Sequence, residues 1–204
     1  MDSLCRRGAE EGFSLIDIMV TVCVIGIVAG IALPLAGGSI TAQRFRGHGQ
    51  SVANLTGLAK LRAASQFTRA RLRVDLTTNA YSMEVWDKAA GAWVADGGVQ
   101  QMPTGVRFGF GGLAAPPPNT QAAIGFSPLC TDGVDAAAND IADTACVTFN
   151  SRGVPVDNTG APSGGHGVYL TDGSTGVYAI TVTATPLIRL WWSPAHTAAW
   201  QEQQ

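Results

Sequence analysis

Charged residues are scarce in this chain and balanced in sign. They make up 14% of the sequence, with 13 lysines and arginines, 15 acids and a formal net charge of -2. Nothing in the overall charge therefore indicates a nucleic-acid partner. The sequence also lacks the nucleophile, phosphate-binding and zinc-protease motifs of common enzymes. We expect that the chain is not an enzyme and uses no cofactor.

Cysteine is scarce as well, with four residues in the chain. Cys5 and Cys23 lie near the N-terminus, which leaves Cys130 and Cys146 as the pair in the remainder. A disulfide between them would stabilise the chain by about 3 kcal/mol in the loop-entropy model, and disulfides are typical of exported proteins. No C-x-x-C pattern is present and His166 is remote, so the pair predicts a disulfide and no metal site.

Charge is unevenly distributed along the chain. Residues 132–172 hold six aspartates against Arg152 alone, whereas residues 44–73 hold seven cations and no acid. The two segments can pack against complementary neighbours in an assembly, or they can form two solvated faces. Calcium binds loop carboxylates, but the spacing lacks the EF-hand pattern, which favours a solvated loop. The loop aspartates are Asp132, Asp135, Asp140 and Asp143.

An uncharged segment, residues 18–43, follows a single acid. Residues 18–36 can cross most of a bilayer core as a helix, which takes about 20 apolar residues. Asp17 costs on the order of 2.5 to 3.5 kcal/mol in hydrocarbon, so it needs a partner unless it reaches the interface. We interpret the segment as a membrane span. A secretory signal is the main alternative, but the small residues after the run form imperfect cleavage sites.

A specific motif surrounds Gly12. Two arginines precede it, and Phe13-Ser14-Leu15-Ile16-Asp17 and the apolar run follow it. This arrangement resembles the leader and cleavage site of type IV prepilins and type II secretion pseudopilins. The resemblance implies that prepilin peptidase removes residues 1–12 by cutting between Gly12 and Phe13. It also implies N-methylation of Phe13.

The resemblance also gives a role to Asp17, because the fifth mature residue in this family is an acid. In a stack of staggered helices, its carboxylate can lie beside the cationic amino terminus of Phe13 in the next subunit. Each charge then offsets the desolvation cost of the other. The family usually has glutamate here, and aspartate shortens the reach by one methylene. We expect Asp17 to control the entry of the subunit into a filament.

Gly26, Gly30 and Pro34 recur every four residues in the apolar run. Small residues at this spacing let helices approach closely, and proline removes one backbone hydrogen bond. The resemblance implies that this stretch loses helicity in assembled pili and makes them extensible. Ordinary membrane-helix composition is the alternative.

Apolar residues at helical spacing between residues 52 and 67 predict that the helix resumes beyond the run. Gly47-His48-Gly49 lies between the two parts. Each glycine inside a helix costs about 1 kcal/mol relative to alanine, so we expect a kink or break there.

From residue 71 the apolar period changes to two. Residues 71–76 and 81–85 flank a Thr-Thr-Asn-Ala turn, which predicts a β-hairpin. No helical pattern separates the later strands, so we expect antiparallel sheets. The further predicted strands cover residues 91–95, 106–110, 123–126, 146–150, 167–170, 177–184 and 187–193.

The order of these parts carries a second, looser resemblance. A basic helix end, the hairpin over residues 73–86 and the segment 147–153 followed by paired strands resemble the GspH/FimT group of minor pseudopilins. The resemblance implies an α+β, pilin-like fold, in which a long N-terminal helix packs on a C-terminal antiparallel β sandwich. The expected organisation is a leader (residues 1–12), a transmembrane assembly helix (13–36), its continuation (37–70) and a periplasmic β domain (71–204).

The function implied is that of a minor pilin-like structural subunit of a type II secretion pseudopilus or type IV pilus. The expected partners are other pilins or pseudopilins, prepilin peptidase and the inner-membrane assembly platform. The expected location is the bacterial inner membrane, single-pass with the C-terminal domain in the periplasm, and the filament after assembly.

The alternative is a FimT-like minor pilin that binds DNA during uptake. Sheet aromatics and four cations can contribute to such a surface, but the C-terminal tail carries few cations for contacts with phosphates. The sequence therefore does not favour nucleic acid as a partner. The four candidate contacts are Arg69, Arg71, Arg73 and Arg107.

Overall fold

The chain is an α+β protein in which one long N-terminal helix precedes antiparallel strands, as predicted. The computed structural model describes residues 14–135 and 137–203. Helix α1 spans Leu15–Ser65. The chain divides into two compact units, residues 1–43 and 44–204, and α1 contributes residues to both.

Helix α1 begins with favourable capping chemistry. The Ser14 side chain accepts a hydrogen bond from the backbone N–H of Ile16 at 3.4 Å, and serine is a preferred residue before the first helical position. Asp17 lies in the first turn, where a negative charge complements the helix dipole.

A membrane span is predicted over residues 13–36. Among the residues described, no helix combines the length and apolar character needed to cross a membrane.

A kink or break is expected at Gly47-His48-Gly49; the break is wrong, because α1 contains all three residues, and the kink stays a prediction. Gly49 is buried, and a Cβ placed on it would lie 3.1 Å from Cγ of Tyr178. The ring of Tyr178 also packs edge-on against Phe45, with ring centroids 4.8 Å apart. The glycine therefore permits close packing of the helix against a strand and does not interrupt the helix.

Thirteen strands follow α1 in the described residues. In chain order they are β1 (Ala70–Asp75), β2 (Ala80–Asp87), β3 (Ala92–Ala95), β4 (Gln100–Gln101), β5 (Arg107–Phe108), β6 (Cys130–Thr131), β7 (Asp140–Ile141), β8 (Thr144–Phe149), β9 (Pro155–Val156), β10 (His166–Thr171), β11 (Gly176–Val182), β12 (Ile188–Pro194) and β13 (Gln201–Gln203).

The strands form two larger sheets and one small one. The six-stranded sheet has the order β3-β2-β1-β8-β9, with β4 also paired to β2, and the five-stranded sheet has the order β13-β12-β11-β10-β5. Strands β6 and β7 form a separate pair. The described strand pairings are antiparallel, which confirms the prediction from the absence of intervening helices.

The predicted hairpin is β1 and β2, with Val74 opposite Tyr81. Two other strand predictions need correction. Residues 123–126 form no strand. A backbone hydrogen bond to β10 is made just after them, from Ser127 N–H to the carbonyl of Gly167 at 2.8 Å, and a single bond does not build a strand pairing. The predicted strand 106–110 shortens to β5, since Gly111 and the residue after it adopt positive φ angles that turn the chain away.

Side chains from α1 and from both larger sheets share one buried core. Val52 and Ala63 from the helix lie in the same cluster as Leu72 and Val147 of the six-stranded sheet and Ile180 of the five-stranded sheet. All five are at most 1% exposed. The alternation of apolar and polar residues in β1 therefore turns one face of its sheet toward this core.

Candidate functional site

The first part of α1 presents apolar side chains on all sides. The large apolar residues of residues 15–28 are 54–73% exposed. Consecutive helical positions point around the whole circumference, so no polar face is left. A helix that is hydrophobic all round is normally buried, and this surface therefore requires a covering partner or environment.

Asp17 is the acidic residue on this surface, and its side chain is exposed. Its backbone carbonyl accepts a hydrogen bond from the Thr21 hydroxyl at 2.6 Å, a bond within the helix. The predicted cleavage bond between Gly12 and Phe13, the leader and the methylation site at Phe13 lie outside the described residues.

Helix α1 includes Gly26, Gly30 and Pro34, at which helix weakening is predicted. A Cβ placed on Gly26 or Gly30 would meet no heavy atom within 4 Å among the described residues. These two glycines therefore form small, open positions on the apolar surface, suited to close approach by another helix. Loss of helicity in a filament stays a prediction.

Arg71 is one of the predicted DNA contacts, and the structure corrects this assignment. It is 1% exposed, and its Nε and Nη2 atoms lie 2.7 and 2.6 Å from Oε2 of Glu84. Its guanidinium also stacks on Trp93, 3.9 Å from the ring centroid. Burial lowers the pKa of Arg71, and the Glu84 carboxylate opposes that shift. A cation enclosed in this way cannot contact a phosphate backbone.

Arg73 shares the same acid, since its Nη1 lies 3.1 Å from Oε1 of Glu84. Glu84 is 8% exposed, and each of its carboxylate oxygens contacts an arginine of β1. Arg107 is exposed, but Phe108 beside it is buried against Tyr81. The four predicted contacts therefore do not form one exposed cationic surface with accessible aromatics.

The loop after β6 covers the outer face of the six-stranded sheet. Three side chains of this sheet and its leading segment donate to carbonyls at the end of β6 and in the loop that follows it. Arg71 donates to Thr131 at 2.7 Å, Trp93 to Gly133 at 3.1 Å and Arg69 to Val134 at 2.6 Å. These contacts explain why a face with an alternating polar pattern is buried.

A disulfide joins the same loop to the sheet. Cys130 and Cys146 are bonded, with their Cα atoms 5.0 Å apart and a sequence separation of 16. Cys146 lies in β8 next to β1. The crosslink and the three side-chain donors therefore hold the loop at both its base and its centre.

Glu84 and Trp93 were not singled out from the sequence. Arg71 and Glu84 lie on the two arms of the predicted hairpin, but the prediction fixed no register; the structure places the two residues directly opposite each other, where opposite charges stabilise sheets. The covering loop gave no comparable signal, since its contacts join residues about 60 positions apart.

The aspartates of residues 132–143 do not form a metal site in the described part of the chain, where no group of three or more potential metal-ligating side chains occurs. Asp132 instead accepts hydrogen bonds from the backbone and side chain of Asn139, at 2.8 and 3.0 Å. These bonds hold the pKa of Asp132 below its usual value. The carboxylate therefore shapes its own loop.

His166 is a buried titratable residue that the sequence did not single out as functional. It is 2% exposed, and its Nε2 lies 2.7 Å from the Ser163 hydroxyl. Its Nδ1 has no hydrogen-bond partner among the described residues. Burial lowers the pKa of His166, and the charge of Asp157 opposes that shift.

Acidification is expected to destabilise the chain through His166. A folded-state pKa below the unfolded value means that the unfolded chain binds more protons. The stability from neutral His166 is thus complete above the unfolded pKa, about 6.5, and falls as the pH drops toward the folded-state pKa. Urea unfolding of the full-length chain in non-ionic detergent at pH 7.5 and pH 5.5 measures this loss. The loss of unfolding free energy should be smaller in H166Q than in the wild type, and unchanged in H196Q, which alters an exposed histidine. Equal losses in the wild type and both variants would contradict the role given to His166.

Comparison with known proteins gives one solved structure. No protein-family model matches the chain, and no curated protein matches it. The chain is similar to the minor pseudopilin EpsH from the type 2 secretion system of Vibrio cholerae, with 13% identity and a TM-score of 0.42. The match covers 72% of this chain and 94% of that one. A likeness of this degree does not by itself assign a function.

Proposed function

We propose that this chain is a minor, pseudopilin-like structural subunit that enters a filament through the first part of α1. The observation that supports it most is the apolar circumference of residues 15–28, which carries one acid, Asp17, in the first helical turn. A filament core made of packed helices would cover this surface. The polar, hydrogen-bonded β domain would then remain outside the core.

The proposal includes processing at the N-terminus. Prepilin peptidase would cut between Gly12 and Phe13, and Phe13 would be N-methylated. The motif around Gly12 supports this step, because it places the cut immediately before the apolar run. The new amino terminus would be a cation four residues from Asp17.

Charge pairing would make assembly selective. An unpaired carboxylate in an apolar core is costly, and an unpaired amino group is costly for the same reason. If a neighbouring helix is staggered along the filament, its terminal amine and Asp17 can pair. A pair that forms between subunits favours the filament over the isolated subunit.

The uncharged segment 18–43 supports an inner-membrane location before assembly. In this proposal the chain crosses the membrane once, with the C-terminal domain in the periplasm, and an inner-membrane assembly platform transfers it to the filament. The Cys130–Cys146 disulfide agrees with an oxidising compartment. Secretion pseudopilus and type IV pilus are both compatible with these features.

For the β domain we propose a sandwich of the two larger sheets on the second part of α1. The shared core supports this arrangement, because helix residue Val52 and strand residues Leu72 and Ile180 belong to one buried cluster. The role proposed is structural and not catalytic. DNA binding is not proposed, since Arg71 and Arg73 are committed to Glu84.

Filament association tests the proposal. The chain would be expressed in its host, filaments would be sheared from the cells and purified, and the chain would be detected by antibody. We expect a small amount of the chain in the filament fraction and the remainder in the inner membrane. Complete absence from filaments that otherwise assemble would contradict the proposal.

A further inference from the structure

The end of α1 carries an exposed aromatic residue in an unfavourable backbone conformation. After Ser65 the N–H of Thr68 donates to the carbonyl of Ala63 at 3.2 Å, a helix-ending pattern that normally has glycine at the position before the donor. Here that position is Phe67, with φ of +51° and 74% of its surface exposed. A side chain at positive φ is strained, and an exposed ring adds no burial to offset that strain.

Hydrogen bonds on both sides hold Phe67 in place. The Lys88 ammonium donates to the carbonyl of Phe67 at 2.7 Å, and the Thr68 hydroxyl donates to the carbonyl of Trp86 at 2.8 Å. The N–H of Trp86 also donates to the carbonyl of Arg69 at 2.8 Å. The strained residue is thus presented by an ordered segment, as is common where strain serves function.

Two neighbouring depressions lie around this segment and share Thr68, Trp86 and Lys88. The first has a volume of about 560 Å³ and includes the apolar side chains of Val85 and Val94. The second has a volume of about 420 Å³ and includes Phe67. Each volume lies within the range of about 300–1,000 Å³ that is typical of ligand sites.

The second depression is cationic. Arg69, Lys88 and Arg152 line it, and none of its described lining residues is acidic. None of these three cations makes an ion pair with a carboxylate in the described part of the chain. Arg69 and Lys88 donate to neutral carbonyls, and Arg152 is exposed on a turn closed by the N–H of Gly153 and the carbonyl of Asn150, 2.8 Å apart.

The first depression differs in charge, because Asp87 and Asp96 line it. Asp96 pairs with Arg62 at 2.8 Å, and the Asp87 carboxylate accepts the N–H groups of the two residues after Lys88. A continuous phosphate backbone that crossed both depressions would meet these acids. A peptide can instead place its carboxylates in the second depression and an apolar side chain in the first.

We infer that these two depressions form a docking site for a protein segment with acidic residues beside an apolar or aromatic residue. Charge complementarity at Arg69, Lys88 and Arg152 selects the acidic part in the second depression, which Phe67 also lines. Val85, Val94 and Trp86 of the first depression contact the apolar side chain. The inference goes beyond the proposed function and does not rest on it, since docking requires neither leader processing nor filament assembly.

Fluorescence anisotropy on the full-length chain in non-ionic detergent tests the site. The probe is a labelled ten-residue peptide with three glutamates at one end and phenylalanine and leucine at the other. We expect saturable binding that weakens when the salt concentration rises from about 20 mM to about 200 mM, because screening shortens the range of charge attraction. Peptides with glutamine or lysine in place of glutamate should bind at least about fivefold more weakly.

Two variants and one control separate a specific site from general attraction. R152E should weaken binding of the glutamate peptide at least about fivefold, while R107E, at an exposed arginine outside both depressions, should not. F67G should weaken binding to a similar degree and leave the thermal unfolding midpoint unchanged or higher, because glycine relieves the strain at positive φ.

Any of four results would overturn the inference. One is absence of saturable binding, and another is equal binding of the glutamate, glutamine and lysine peptides. The third is unchanged affinity in both F67G and R152E. Tighter binding of a labelled 20-nucleotide oligothymidylate than of the glutamate peptide at the same salt concentration would also overturn it, and would identify a nucleic-acid site.

Discussion

Replacing Asp17 by alanine is expected to remove the chain from filaments while leaving leader cleavage intact. The change removes one partner of a charge pair that would be buried between subunits, and such a loss typically costs about 3 to 5 kcal/mol. Each 1.4 kcal/mol is about a factor of ten, so incorporation should fall about 100-fold or more. Quantitative immunoblotting of sheared filaments and of the inner-membrane fraction measures the change.

D17E is the matched control. It keeps the negative charge and lengthens the side chain by one methylene, so it should restore filament incorporation to within a few fold of wild type. D17N keeps the size of the side chain without its charge and should behave like D17A. Wild-type incorporation of D17A or D17N would show that the carboxylate has no part in assembly.

Replacing Glu84 by glutamine is expected to destabilise the β domain strongly. Arg71 is 1% exposed and would keep its charge without a counterion. Breaking a buried ion pair by removing one partner typically costs about 3 to 5 kcal/mol. The free energy of unfolding, measured by urea titration of the full-length chain in detergent and followed by tryptophan fluorescence, should fall by that amount.

E202Q provides the comparison, because Glu202 pairs with Arg189 at 3.5 Å and both side chains are well exposed. An exposed pair contributes about 0 to 1 kcal/mol, so this variant should be close to wild type. The double variant R71M/E84M removes both charges together and should recover much of the stability lost in E84Q. Equal, small losses in E84Q and E202Q would mean that the buried pair is not a major stabilising contact.

The helix and the first hairpin were predictable because their signals are local. Period-two alternation from residue 71 and the turn at Asn79, which adopts φ of +55°, give both the strands and their connection. The same alternation led to the wrong environment for Arg71. It placed the arginine on the face away from the core, but the loop after β6 covers that face, and no local pattern encodes this contact.

Gly49 is a second residue whose role depends on a contact with a residue distant in sequence. A glycine within a helical pattern has two explanations, a flexible point or a close contact, and a single sequence does not distinguish them. The answer depends on Tyr178, which reaches Gly49 from β11. Phe67 is comparable, since its spacing predicted that it belongs to the helix, whereas α1 ends at Ser65 and the structure leaves Phe67 exposed after it.

The mass of the mature chain shows whether residues 1–12 are removed before Phe13, the step on which entry into a filament depends. The full-length chain would be isolated from the inner membrane of its host and analysed by intact-mass and N-terminal fragment mass spectrometry. We expect a polypeptide that begins at Phe13, lacks residues 1–12 and carries one methyl group on its terminal nitrogen. A chain that retains its first 12 residues, or begins at any residue other than Phe13, would contradict it.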